Sequence, residues 1–439
     1  LGTHTLEIAG SGTGSSRPFN LGTSAFDPGT GTILYTVTAA THIQSTTYHH
    51  LSFAPASGAP TYTLGTATSQ NVYVNGNFLV GDGANAITVQ GATYDPHLEF
   101  KGDVTLNANS TWTRADAVVA YYFNKTSGTQ TYTDNNSTKQ VFGDCNVIGT
   151  SNTLLLGSSA AFLNFEINNG TTMNMNGSNT LTTYGAGSFA FQNNGTFVPS
   201  TGTMAYAGTA AANIWPTTYY NLSLIPVSGS PTYTFGDATS QTITVSNILT
   251  VGNGTNAVTA NANTYDPVLD VNGNVTVAAS GTFVASNSAA FTIAGNFANS
   301  GTFTHSSGTV TFDDVSKTSA ITGTTTFHNL TSTTANKALR FGANTTFTVA
   351  NTLTLTGTAG NLITLDRSGG TGSDRFTLSI STPGQTVTYV SVTNSNVSGN
   401  DLTANPNTNG GNNDDGESSP HWILSAGITV SGTIYSDEG

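Results

Sequence analysis

Charge is what this 439-residue sequence has least of: charged residues make up 8% of it, 10 Lys and Arg against 23 Asp and Glu, for a formal net charge of −13. So few, scattered cations cannot neutralise a run of phosphates, which excludes a nucleic-acid binder that works by electrostatics. The single cysteine, Cys145, excludes an intrachain disulfide, so stability must come from a buried core, which a chain of this length can build. Long apolar runs are missing too; nothing approaches the roughly 18 consecutive apolar residues of a membrane-spanning helix, so no such segment is expected. Nor does any stretch place apolar residues at 3.6 spacing for three turns, which removes amphipathic helices. The chain opens at Leu1, with neither Met nor a charged segment leading into an apolar one. That opening points to a removed signal peptide or a trimmed sequence. N-x-S/T tripeptides, as at Asn109, Asn169, Asn221 and Asn344, are expected by chance in so Asn- and Thr-rich a chain.

What is present is alternation. Runs such as TYTL, NVYVN, TITV and TLTLT are closed by Gly, Asn, Asp or Ser. Period two is the strand signal, Thr and Val suit a pleated surface, and Asn-Gly supplies the positive-φ conformations of tight turns. The fold class is therefore all-β.

The alternation sits on a large internal repeat. Residues 58–83 (GAPTYTLGTATSQNVYVNGNFLVGDG) align without a gap with residues 229–254 (GSPTYTFGDATSQTITVSNILTVGNG). Leu51 matches Leu222, a shift of 171 residues (222 − 51), and Tyr94-Asp95-Pro96 matches Tyr265-Asp266-Pro267 at the same shift. A diverged third copy starts near Phe303: GTFTHSSGTVTF (301–312) parallels GTFVPSTGTMAY (195–206), and FHNLT (327–331) parallels YYNLS (219–223) and YHHLS (48–52). The chain is divided accordingly into an N-terminal strand or cap region (1–25), a first β-repeat unit (26–196), a second (197–302), a third with a closing segment (303–424), and a C-terminal strand or tail (425–439).

Repeats that run on without Pro-rich or charged linkers favour a parallel β-helix, a solenoid of roughly 20-residue coils, over tandem β-sandwich domains, the alternative. On this reading the chain stacks about 20 coils, Asn side chains form ladders at the turns, and charge is avoided because stacked coils would put like charges above one another.

Residues 351–424 (NTLTLTGTAGNLITLDRSG, then QTVTYVSVTNSNVSG, then NTNGGNNDDGESSPHWIL), the F-x-N-L-T phrase and the GTF…GTVTF phrase resemble secreted or cell-surface bacterial proteins of the right-handed parallel β-helix repeat type, which are adhesin-, stalk- or filament-like. The resemblance implies a secreted, extracellular or cell-surface location.

Polysaccharide lyases and hydrolases also use β-helices, and they need a cation-assisted base or converging carboxylates. The cations here are scattered, and the adjacent pair Asp313-Asp314 points to opposite faces if the alternation holds, so no enzyme is expected. His49 and His50 read as solvated turn residues, because the second copy has Tyr220 and Asn221 in their place. His421 stands beside Trp422, and a metal reading there needs three or four converging ligands. Asp414, Asp415 and Glu417, on a Gly- and Asn-rich loop, are the candidate oxygen ligands for Ca²⁺, the one cofactor considered, although their spacing is not that of an EF-hand. Cys145 reads as a small buried residue with an inert thiol. Thr-x-Thr runs make an ice-binding surface a minor alternative.

The functional expectation is a non-enzymatic extracellular structural protein, a rod-like subunit of a surface filament or stalk. A solenoid's open ends expose backbone edges, and no polar caps are recognisable in the sequence. The terminal strands, with Thr5, Leu6 and Ile8 at one end and Ile428, Val430, Ile434 and Tyr435 in GITVSGTIY (427–435) at the other, are expected to be exchanged between copies, giving a head-to-tail homopolymer. The alternative is a monomeric adhesin that binds surface glycans on Trp112, Tyr121, Tyr122 and Trp215; a lyase or hydrolase is a minor one.

Overall fold

A computed structural model describes residues 1–114, 120–288, 290–416 and 419–426. Strand pairing among the named strands is parallel throughout, and the one helical element among the described residues is a 3-10 turn at Gly14–Ser16. The chain is a parallel β-solenoid of about 18 turns. Its contacts divide it into two compact units, Leu1–Asp237 with Asn256–Val258, and Ala238–Thr255 with Thr259–Gly439.

In the first unit successive strands up to Thr113 fall in turn on three sheets, and from Ala160–Phe162 onward strands of two further sheets join them. A nine-stranded sheet starts at Thr5–Ile8 and runs through Thr32–Tyr35, His50–Phe53 and Phe78–Val80 to Thr196–Val198. A seven-stranded sheet starts at Thr47–Tyr48 and a four-stranded sheet at Thr41–Ile43. The alternation read from sequence is the wall of this coil. Residues of one parity stack inward, so that Leu6, Ile33, Leu51, Phe78, Val104, Tyr132 and Leu156 form a single column by register. Residues of the other parity, mostly Thr, Ser and Asn, face water. In the second unit the same construction runs from Thr242–Val251 through Val268–Val271, Phe291–Ile293 and Thr309–Phe312 to Leu402–Asn409 and Trp422–Ala426.

Side-chain ladders hold successive coils at their corners. His50 Nδ1 accepts the Asn77 N–H (2.8 Å), Asn77 Oδ1 accepts the Asp103 N–H (3.1 Å), and Asp103 Oδ1 accepts the Thr131 N–H (2.8 Å), at sequence separations of 27, 26 and 28. In the second unit Asn274 and Asn296 pass the same bond upward to Asn296 N–H and Ala320 N–H. Each bond satisfies a backbone donor that the turn would leave unpaired, and mostly does so without charge.

The sequence duplication recurs as duplicated geometry. Tyr48 Oη donates to the Gln44 carbonyl (2.6 Å) and Tyr219 Oη to the Trp215 carbonyl (2.7 Å); Tyr62 donates to Val37 and Tyr233 to Gly208; Asn85 donates to Pro55 and Asn256 to Pro226. Each of these pairs is related by the shift of 171. At one such position the coils touch so closely that only glycine fits: a Cβ on Gly102 would lie 2.3 Å from the Gly76 carbonyl, and one on Gly273 1.7 Å from the Asn247 oxygen. The third copy keeps the pattern as well, since Asn329 donates to Thr309 as Asn221 does to Thr203.

Candidate functional site

Thr5–Ile8 is the outermost strand of the nine-stranded sheet. Thr32 N–H donates to the His4 carbonyl and Thr36 N–H to the Ile8 carbonyl. In a parallel ladder this parity turns the backbone groups of Leu6 and Ile8 toward the partner strand and those of Thr5 and Glu7 away from it. The N–H and C=O of Thr5 and Glu7 therefore form an edge with no strand beside it among the described residues. Ile8 is buried in its column, but Leu6, which continues the inward column of Ile33 and Leu51, is 38% exposed. The other two sheet ends are covered, which the absence of polar caps in the sequence did not anticipate. Gly12 bridges to Thr41, and Phe19 is buried against Tyr48 (6.3 Å between ring centres) and Phe26 (5.2 Å). Arg17 fixes this covering segment by donating to Gln44 Oε1 (2.7 Å) and to the Gly14 carbonyl. The cap is aromatic and irregular rather than polar, so no turn-residue signature marked it. The opposite partners proposed from sequence, Ile428, Val430, Ile434 and Tyr435, lie outside the described residues.

Asp414 and Asp415 follow a turn at the last coils. The Asp414 backbone carbonyl accepts the Trp422 N–H, and Asp415 Oδ2 accepts Asn409 Nδ2 (2.5 Å). Glu417 lies outside the described residues. Among the described residues no three His, Cys, Asp or Glu side chains converge as metal ligands would. His421 Nδ1 sits 3.4 Å from Asp401 Oδ1. His50 is a strand residue rather than a turn residue. Burial and then the neighbouring His49 hold its imidazole below the ordinary value, in the neutral form that can accept from Asn77. The Cys145 thiol is buried, and burial followed by Asp144 pushes its pKa well up, as an inert thiol requires.

Of the four aromatics expected to face glycans, two are core. Trp112 and Tyr121 are 5% and 2% exposed and pack on Phe142 at 4.5 and 5.5 Å. Their strands turn that parity inward. Trp215 lies against Phe189 (4.4 Å) and lends its carbonyl to Tyr219. Only Tyr122 stands on an outward column, and there it has company that the sequence did not reveal. By register Tyr73, Glu99 and Tyr122 occupy successive rungs of the seven-stranded sheet. The His97 ring, one column across, stacks on Tyr122 (4.8 Å, 28°) and meets Tyr73 edge-on (5.8 Å). Glu99 Oε1 accepts Asn124 Nδ2 (3.0 Å) and lies 3.6 Å from Lys101 Nζ, while Oε2 is 3.9 Å from His97 Nε2. Tyr73, His97, Glu99 and Tyr122 are all half-buried.

Comparison with protein-family models, with curated proteins and with solved structures finds no match.

Proposed function

We propose that this chain is a non-enzymatic extracellular structural protein, a solenoid subunit of a surface filament or stalk that joins further copies of itself head to tail through coil-end strand pairing. The observation that carries this reading is the edge at Thr5–Ile8: outward backbone groups on Thr5 and Glu7, and a core-column leucine, Leu6, left 38% exposed. An exposed strand edge is a template for another strand. A contact of this kind between unlike ends gives an open polymer rather than a closed ring when its rotation does not close. The coil walls favour a structural role: their outward columns are largely Thr, Ser and Asn, tied coil to coil, and a surface of small neutral side chains tolerates indefinite stacking.

Glu7→Pro tests the edge directly, because the N–H that it removes points outward and contributes nothing to the pairing with Thr32–Tyr35. Negative-stain microscopy of the full chain across a concentration series is expected to show filaments for the parent and isolated subunits for Glu7→Pro. A parent that stays single at every concentration, or a variant with unchanged filaments, overturns the proposal.

A further inference from the structure

We infer that the outward face of the first unit around Glu99 is a binding ledge for a neutral carbohydrate chain. The rings of Tyr73, His97 and Tyr122 are the platforms, and Glu99, with Asn124 and Lys101 beside it, hydrogen-bonds the hydroxyls.

The duplication supplies the control that separates binding from folding. At the shift of 171 the second copy places Thr244 for Tyr73, Val268 for His97, Asp270 for Glu99 and Asn272 for Lys101. The rung above Asp270 carries Thr292 where the rung above Glu99 carries Tyr122. Thr244 pairs with Asp270 in the same register as Tyr73 with Glu99, and the carboxylate stays tied down, by Thr292 Oγ1 (2.8 Å) and Asn272 Nδ2 (3.1 Å). The same coil is therefore built with no aromatic side chain on this face. The three rings of the first copy are not needed to form it, and a half-exposed aromatic group that the fold does without is the usual mark of a recognition surface.

The chemistry selects the ligand. A sugar ring has an apolar C–H face that lies on an aromatic ring and a rim of hydroxyls that donates to a carboxylate and accepts from an amide or ammonium. Tyr73 and Tyr122 stand two rungs apart, about 10 Å at ~4.8 Å per strand, so they engage different units of one extended chain. Lys101 offsets Glu99 within the ledge, and the overall charge of −13 disfavours a polyanion.

The test uses the full chain and a panel of neutral hexasaccharides (gluco-, xylo-, manno- and galacto-configured), with polygalacturonate as the acidic comparison, titrated by calorimetry. The expected result is binding to at least one neutral member. Affinity should fall at least about tenfold when Tyr73→Thr, His97→Val and Tyr122→Thr, the side chains of the second copy, are combined, with circular dichroism unchanged. Glu99→Gln alone should also weaken binding, so the outcome does not hang on the triple variant. Binding to no neutral glycan, binding to polygalacturonate only, or unchanged affinity in these variants overturns the inference. Glu7→Pro is expected to keep full glycan binding, so failure of the ledge and failure of filament assembly are read separately.

Discussion

Replacing Lys337 by methionine sets two opposing effects in the second unit against each other. The lysine is fully buried, and its ammonium donates to the carbonyls of Asp314 (2.7 Å), Lys317 (2.9 Å) and Ala294 (3.0 Å). Burial lowers its pKa from 10.5 to about 8, against a smaller opposing pull from Asp314 and Asp313. That shift corresponds to at most about 3.5 kcal/mol of penalty on the charged form, at roughly 1.4 kcal/mol per unit. Methionine removes the penalty but leaves three carbonyls short of a donor, at about 1 kcal/mol each, eased for Ala294 by Ser319 Oγ at 3.3 Å. At pH 7 the two effects nearly cancel, so Lys337→Met is expected within about 1–2 kcal/mol of the parent. The discriminating quantity is pH dependence. The native lysine releases its proton near pH 8 and the unfolded one near 10.5. Between those values the unfolded chain binds more protons, and parent stability rises with pH. Urea unfolding at half-unit steps from pH 7 to 10 should show the parent gaining on Lys337→Met by up to about 3 kcal/mol. Lys337→Arg, which keeps its charge throughout, should show no such gain. A parent that loses ground to Lys337→Met over this range would mean that the carbonyls hold the ammonium better than water does, and the reasoning fails.

Two further outcomes concern the first unit. The Asp134 carboxylate is fully buried and accepts Asn136 N–H (2.9 Å), Asn136 Nδ2 (2.8 Å) and Gln140 N–H (2.6 Å). Asp134→Ala strands these donors and is expected to cost about 3–5 kcal/mol in thermal or urea unfolding; a loss under about 1 kcal/mol would show that water replaces the carboxylate. Burial, the dominant cause at each, raises the phenol pKa of Tyr35, Tyr48, Tyr62, Tyr121 and Tyr132. The native state keeps protons that the unfolded chain releases near pH 10, so stability falls as pH rises past that value. Phenolate absorbance from these residues should therefore appear together with loss of the circular-dichroism signal, and ionisation of all tyrosines in a still-folded protein would contradict it.

The coil wall was legible because one parity of each run is apolar and the other is Thr, Ser or Asn, and the exact phase of the repeat was legible because Gly, Asn and Tyr recur at one shift. What stayed hidden is what parity alone decides when both neighbours look alike. In the Tyr121-Tyr122 pair either ring suits a strand. Tyr121 goes in and Tyr122 out because Phe123 must face Phe100 across the rung. The same count, applied backward from Leu339 and Phe341, puts Lys337 inside, and applied around Tyr132 it puts Gln130 and Asp134 inside. Inward polar residues were thus available from phase, but their partners are carbonyls and amides one or two coils away, which no local pattern encodes. The Tyr73–His97–Tyr122 group was hidden for the same reason: its members are about 25 residues apart in sequence and meet only because one coil takes roughly that length.

The repeat also bears on how such a surface divides its duties. Where both copies keep a residue or its equivalent, as with the hydroxyl bonds of Tyr48 and Tyr219 or the close approach at Gly102 and Gly273, the position serves the coil, since each copy must solve the same packing problem. Where the copies part while register and backbone are held, as at Tyr73 and Thr244 or His97 and Val268, the coil sets no requirement and the side chain is free to serve a partner. The carboxylate at Glu99 and Asp270 belongs to both classes: it is tied to the wall in each copy, yet only in the first does it stand between rings. The ledge is therefore an addition to a wall that already stands, and for that reason its side chains can be exchanged for those of the second copy without dismantling the solenoid that presents them.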